Sequence, residues 1–368
     1  MQKAKPVILI GSLTKENKSA VPIITKEFIF GLSDKYKFIP FYSDRKYRNI
    51  KGTNLNILNI YYFIKHYFQW IYKLIIYKPD MAHYPITSYW NLEKSLIFLT
   101  TAGIFGAKKI GHLHGGSFDK FLSTISRRRK KFDLKLLNSL DHLIVLGKYW
   151  ESFMKKEIKT DISIVYNPID SYFESETKNT HIKNRNNILF VGSVGERKGV
   201  FDIVECANRL KGKIDFKINI VGPEERADDM MRVSNLIEKY SLKKCVNLIG
   251  PLYAENKINI FNESAIFLFP SYNENFPLVI IEAAVAGLAI ITTPVGALPE
   301  FFEHNKSVIF VEPGNIEQIS EAIIELINDD EKRMFLGEAA REIFLKELDR
   351  KRIFESLDSI YQKVLKNI

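Results

Sequence analysis

Short runs of β-branched and aromatic residues alternate with longer stretches of helical periodicity almost throughout this chain. In the first half the runs Val7–Ile10, Phe38–Phe41, Met81–Tyr84, Lys109–Leu113, His142–Leu146 and Ile162–Tyr166 read as strands. The second half repeats the pattern with Ile188–Val191, Phe216–Val221, Val246–Ile249, Ile266–Phe269, Ala289–Thr292 and Ser307–Val311. Strand–helix alternation predicts parallel sheets with helices on both faces. Two such series predict two doubly wound α/β domains, over residues 1–170 and 188–348. Between them lies SYFESETKNTHIKNRNN, residues 171–187, poor in apolar residues and rich in turn formers, which reads as a linker. Residues 349–368 read as a C-terminal helix able to pack back on the first domain.

One apolar stretch, Leu55–Tyr77, is long enough to raise the question of a membrane span. Lys65, His66, Gln69 and Lys73 interrupt it, whereas a span needs ~20 mostly apolar residues. The stretch Leu96–Gly106 is too short. The start, Met1 to Pro6, runs straight into a strand-like segment, without the long apolar region of a signal peptide. These readings point to a cytoplasmic protein. With 46% hydrophobic and 26% charged residues in 368, the chain can bury two cores, and wholesale disorder is excluded. The two cysteines, Cys206 and Cys245, exclude a disulfide framework and a Cys-rich metal cluster.

Charge divides the chain. Residues 1–170 hold 28 basic and 13 acidic residues, a net of +15, while residues 171–368 hold 25 and 30, a net of −5. The basic half therefore suggests an anionic partner. Tyr61–Lys78 interleaves aromatics with Lys65, Lys73 and Lys78, and residues 127–131 are five cations in a row. Aromatic anchors beside cations suit a face resting on an anionic membrane. No recognised nucleic-acid motif is present.

In open parallel sheets, ligands sit beyond the C-terminal ends of the strands. The loop after Ile188–Val191 reads Gly192-Ser-Val-Gly-Glu-Arg197-Lys198-Gly199 and leads into a helix. Free N–H groups, the positive end of the helix dipole and two full charges suit a diphosphate. The loop after Ile266–Phe269 reads Pro270-Ser-Tyr-Asn-Glu274-Asn275-Phe276-Pro277-Leu278, and Glu282 follows on the helix. A carboxylate among Ile280, Ile281, Ala283 and Ala284 is costly to bury without a partner, and a ribose could supply donors. The N–H groups at Asn275–Leu278 could bind an anion or a sugar hydroxyl.

The spacing Glu274-x7-Glu282, together with Gly192…Arg197-Lys198-Gly199, Asn167-Pro-Ile-Asp170 and Pro294-Val-Gly-Ala-Leu-Pro-Glu300, resembles the retaining glycosyltransferases of family 4. The resemblance implies a GT-B fold, with two Rossmann-like doubly wound domains facing each other across a nucleotide-sugar cleft. It implies that Glu274 contacts the donor sugar, that Glu282 holds the ribose hydroxyls, and that Lys198 neutralises the diphosphate. Many members carry an Arg directly after the first glycine. This chain has Ser193 there, with Arg197 as the substitute. Gly222 matches a family loop near the nucleotide. His114, in the loop after Lys109–Leu113, matches a histidine near the reacting sugar, with His112 as the alternative. Gly11 and Ser12 match a loop by the diphosphate and acceptor.

These expectations give a metal-independent transferase with no cofactor, since the basic loop can stabilise the leaving diphosphate. Its partners would be a nucleotide-diphosphate-sugar, a glycan or lipid-linked acceptor in cell-surface polysaccharide synthesis, and an anionic membrane surface on the cytoplasmic side, with no nucleic acid. The competing readings are a sugar-nucleotide epimerase on the same fold and a non-catalytic sugar-nucleotide-binding subunit.

Overall fold

The computed structural model describes residues 4–15, 20–44, 57–177 and 184–366. They fall into two compact units, Met1–Pro168 with Arg350–Ile368, and Ile169–Asp349. The first unit runs β1 (Val7–Leu13), α1 (Ala20–Leu32), β2 (Lys37–Tyr42), α2 (Ile57–Tyr77), β3 (Met81–Ile86), α3 (Trp90–Ile104), β4 (Lys108–Leu113), α4 (Phe118–Thr124), α5 (Arg127–Leu137), β5 (His142–Val145), α6 (Lys148–Glu157) and β6 (Ile162–Ile164). The six strands pair in parallel in the order β2-β1-β3-β4-β5-β6.

Every residue of β3 is buried, as expected of a parallel strand covered on both faces. Alternation along the strands sends Leu9, Tyr84 and Leu143 to one face of the sheet. There they share a core with Trp70 and Leu74 of α2, Leu96 and Phe98 of α3, and Leu137 of α5. The other face carries His83 and His112, with Phe28 of α1 5.8 Å from the His112 ring.

That second face is closed by a helix from the far end of the chain. Arg350–Lys366 (numbered α14 below) belongs to the first unit. Its Tyr361 hydroxyl lies 2.6 Å from His83 Nδ1. Its Asp358 accepts hydrogen bonds from Tyr36 (2.7 Å) and Lys35 (2.5 Å).

One expectation fails in this unit. Gly11 and Ser12 do not open a loop after Ile10, because β1 continues to Leu13. The register shifts after Ile10, and Leu13 pairs with Tyr42. A Cβ at position 11 would stand 2.5 Å from a ring carbon of Tyr84. The glycine is accounted for by the packing of that ring.

The second unit runs α7 (Ser171–Glu176), β7 (Asn184–Val191), α8 (Val200–Leu210), β8 (Lys217–Val221), α9 (Asp229–Lys239), β9 (Val246–Gly250), α10 (Ala254–Glu263), β10 (Ser264–Phe269), α11 (Leu278–Val285), β11 (Ala289–Thr292), β12 (Ile309–Phe310), α12 (Ile316–Asn328) and α13 (Asp330–Ile343). Its sheet order is β12-β11-β10-β7-β8-β9, again all parallel. The chain winds outward in both directions from the β7/β10 pair. That pair is the topological switch point, where adjacent loops diverge and leave a crevice.

The polar stretch 171–187 is not wholly a linker. Ser171–Glu176 is helical, and β7 begins at Asn184. Asp170 caps the helix by accepting from the Phe173 N–H at 2.9 Å. Phe173 is buried with its ring 5.0 Å from that of Phe261. A single aromatic anchor and a cap thus order a segment whose composition is that of a turn. Residues 178–183 lie outside the described residues.

Candidate active site

The two loops flanking the switch point carry the charges singled out from the sequence. After β7 the chain makes a short helical turn over Glu196–Lys198 and enters α8. After β10, residues 270–277 lead to α11, whose first residue follows Pro277. The loops are tied backbone to backbone, since the N–H of Tyr272 and the hydroxyl of Ser271 both donate to the Arg197 carbonyl, at 2.9 and 3.1 Å.

Across this tie Lys198 Nζ donates to Glu274 Oε1. The Ser271 hydroxyl donates to the same oxygen at 2.7 Å. The ammonium also lies 4.9 Å from the centre of the Phe269 ring. Burial pulls the Lys198 pKa below its usual value, and the Glu274 charge pulls it back. Arg197 stands beside the pair, its guanidinium 3.5 Å from Glu274 Oε1. It is held there by Glu225 at 2.6 Å and by the Asn273 carbonyl at 3.2 Å.

A third loop supports the second. The Thr293 hydroxyl donates to the Ser271 carbonyl at 2.5 Å, and the Ala297 N–H donates to the Asn275 carbonyl at 2.9 Å. Pro294–Glu300, part of the sequence pattern, is therefore a brace for the Glu274–Asn275 backbone. Asn275 and Pro277 are buried, and Phe276 packs edge-on against Phe301. Gly222, after β8, has φ +144, and a Cβ there would sit 1.8 Å from the Gly192 carbonyl oxygen. Only glycine lets these two loops approach so closely.

Glu282 lies on α11 and is 6% exposed. Its Oε1 is bound by Lys257 Nζ of α10 at 2.5 Å. Its Oε2 is buried with no hydrogen-bond partner. The Lys257 ammonium also lies 5.3 Å from the Phe173 ring and 5.9 Å from the Phe261 ring. A buried carboxylate with one oxygen neutralised and the other unsatisfied is an acceptor waiting for a donor.

In the first unit, His114 lies just past β4, its backbone N–H donating to the Ile86 carbonyl at 2.9 Å. Its ring packs 4.2 Å from that of His112, which stacks on His83 at 5.4 Å. Burial holds the His114 and His83 pKa values down to about 3, and pushes His112 well below its ordinary value. His112 is fully enclosed and His114 half-buried, so of the two only His114 is open to solvent.

Gly192, Arg197, Lys198, Gly222, Glu274, Asn275, Phe276, Pro277, Leu278 and Glu282 thus all lie in one unit at the C-terminal ends of β7, β8 and β10. Gly11, Ser12 and His114 belong to the other unit. Three partners were not anticipated. Glu225 stands two residues after Pro223 and could have been read as a loop carboxylate. Ser271 and Lys257 gave no sequence signal. Among the described residues no cluster of three or more His, Cys, Asp or Glu side chains is placed to hold a metal ion.

Residues 172–343 match the family model described as "Glycosyl transferases group 1", which spans nearly the whole second unit. N-acetyl-alpha-D-glucosaminyl L-malate synthase of Bacillus anthracis is 26% identical over 214 residues, which are 56% of this chain and 55% of that protein. The capsular polysaccharide biosynthesis glycosyltransferase CapM of Staphylococcus aureus is 26% identical over 193 residues, 52% of this chain and 50% of that one. The chain thus spans about half the length of these curated relatives. A solved glycosyltransferase from Rickettsia africae ESF-5 superposes over 100% of both chains with a TM-score of 0.79 at 20% identity. That likeness concerns the fold, which is GT-B, with two Rossmann-like α/β units. The family match concerns the second unit.

Proposed function

We propose that this chain is a retaining, metal-independent hexosyltransferase of family 4. It moves a sugar from a nucleotide-diphosphate-sugar to a glycan or lipid-linked acceptor in cell-surface polysaccharide synthesis, on the cytoplasmic side of the membrane. The observation that carries this reading is the partly buried Lys198–Glu274 pair at the switch point, with Arg197 alongside.

In this reading the donor diphosphate lies against Lys198, Arg197 and the N–H groups that open α8. Transfer breaks the bond between the anomeric carbon and the β-phosphate oxygen, and forms one from that carbon to an acceptor oxygen. The acceptor's proton leaves with the diphosphate. Negative charge grows on the diphosphate as the bond breaks, and the two fixed cations stabilise it there. Glu274 exchanges its lysine contact for hydroxyls of the donor sugar and positions the ring. Glu282 Oε2 accepts from a ribose hydroxyl, while Lys257 fixes the carboxylate through the other oxygen.

The test is to screen UDP-, GDP- and ADP-sugars for thermal stabilisation, then to supply acceptors and read the anomeric configuration of the product by NMR. The expected result is one base that stabilises the chain, and a glycoside with the donor's configuration, formed equally with and without EDTA. A free epimer would make the chain an epimerase. Strict dependence on Mg²⁺ or Mn²⁺ would show that the leaving group is stabilised otherwise. No response to any donor would overturn the reading.

A further inference from the structure

Nothing in the transfer chemistry accounts for the outer surface of α2. Its inner face is buried through Tyr62, His66, Trp70 and Leu74, spaced four apart. Its outer face shows a second apolar stripe at similar spacing, with Ile57, Tyr61, Ile64, Phe68, Tyr72 and Ile75 all exposed. Phe68 alone is 66% exposed. A soluble helix facing water would be polar there, and an apolar band of this length marks a contact surface.

The surroundings specify the contact. The sequence of α2 contains Lys65 and Lys73 and no acidic residue, and Lys78 follows its end. On the same side of the sheet, α3 lies between α2 and α5. Tyr67 of α2 meets Thr101 of α3 at 3.0 Å, and Arg129 of α5 pairs with Glu93 of α3 at 2.5 Å. Arg127, Arg128, Lys131 and Lys135 of α5 are exposed, as is Phe132. One helical layer thus offers an aromatic stripe at one edge and a cluster of cations at the other. A second copy of this chain packed with α5 against α5 would oppose cations to cations, and one packed with α5 against α2 would give those cations no counter-charge. An anionic surface with an apolar interior matches both features at once.

We infer that the α2–α3–α5 layer is a membrane-docking face. The α2 stripe inserts at the headgroup level of an anionic bilayer, and the exposed cations of α5 contact its charged surface. The inference builds on the proposed handling of a lipid-linked acceptor, but it concerns a surface separate from the donor-site residues. No helix among the described residues is long and apolar enough to cross a membrane, so the contact is with one leaflet.

The experiment is co-sedimentation of the whole chain with vesicles of phosphatidylcholine alone, or with 30 mol% phosphatidylglycerol, across a salt series. Sugar transfer to a soluble acceptor is measured in parallel. Binding is expected only to the anionic vesicles, falling steeply with salt. Neutralising Arg127→Gln, Arg128→Gln and Lys131→Gln together should weaken it by roughly a hundredfold, at about fivefold per cation. Phe68→Gln with Tyr72→Gln should abolish the salt-resistant part. Both variants alter only exposed side chains and should keep the parental transfer rate on a soluble acceptor. Equal binding to neutral vesicles, no binding, or binding unchanged in both variants overturns the inference. So does a dimer in sedimentation velocity that Phe68→Gln dissociates, which would assign the stripe to a second copy. Vesicle binding without any transfer would leave the docking face standing and sink the proposed activity instead.

Discussion

The two units are built on the same plan and handle charge in opposite ways. Each is a six-stranded parallel sheet between helices. In the second, the loops at the switch point gather ionised groups, with Lys198 and Arg197 around Glu274 and Lys257 on Glu282. In the first, a row of histidines on β3, on β4 and just past it runs from buried His83 and His112 to half-buried His114, all kept neutral by desolvation. Fixed opposite charges suit a ligand that arrives charged, because they can change partners without reorganising the backbone. Only His114 of that row is open to solvent, and a neutral ring there suits a ligand recognised by shape and hydroxyl groups. The contrast teaches that a doubly wound scaffold sets where a site lies, and the loop residues decide what kind of ligand it takes.

The contrast breaks most visibly at Lys198. Lys198→Met should lower the transfer rate by about 10²–10³-fold, the loss typical of removing one preorganised stabilising group. It also leaves the partly buried Glu274 with only Arg197, 3.5 Å away, as its counter-charge, at a cost of about 1–3 kcal/mol. Lys198→Met with Glu274→Gln should recover much of that stability and none of the activity. Chemical denaturation beside a transfer assay separates the two effects. A double variant no more stable than the single would show that the pair is not coupled as the structure has it.

Glu282 and Lys257 sharpen the comparison within the second unit. Glu282→Gln and Lys257→Met should each raise the donor KM about tenfold or more, as loss of a bond to a charged group is worth roughly 1.5–3 kcal/mol. Their kcat should change far less. Lys257→Arg keeps the charge and should restore most of the affinity. If kcat falls in step with the rise in KM, the pair acts in the chemical step rather than in nucleotide binding.

The neutral histidines make the first unit the acid-sensitive one. A histidine whose folded pKa is depressed binds fewer protons folded than unfolded. Its stability contribution is complete above the ordinary value of 6.5 and is lost as pH falls toward about 3. Each such histidine steepens the loss by at most about 1.4 kcal/mol per pH unit. All three tryptophans, Trp70, Trp90 and Trp150, lie in the first unit, so their fluorescence reports its unfolding alone. Their transition should begin below pH 6.5 and become shallower in His112→Leu. A tryptophan transition flat from pH 7 to pH 4 would contradict the buried neutral row.

The smallest effect concerns the start of the second unit. Asp170→Ala removes the cap of α7 and should cost about 1 kcal/mol, read as a small drop in Tm with the donor KM unchanged.

Much of this was legible in the sequence because parallel strands buried on both faces must be continuously apolar. All twelve described strands fall on runs such as Met81–Tyr84 and Ile266–Phe269. The charged loops were legible because the glycines and the Glu274–Glu282 spacing stand directly after strands. What stayed hidden depends on neighbours in space. The sheet order that sets β7 beside β10 is fixed by crossover packing, which no local pattern encodes. Lys257 lies 25 residues before Glu282, on a helix whose facing only tertiary packing decides. Gly11 looked like a loop signal because its true reason, the ring of Tyr84, lies on another strand.

The return of α14 to the first unit has a consequence for how the molecule is made. Tyr361 and Leu357 are wholly buried, and Asp358 supplies the partner of Tyr36. On a translating ribosome the first unit to be synthesised therefore lacks part of its interior until residues 350–366 have emerged. The second unit is contiguous, from Ile169 to Asp349, and has its whole sequence available earlier. Order of synthesis and order of completion are reversed, and a nascent chain stalled between the two would expose Phe28 and His83 to whatever chaperone holds it.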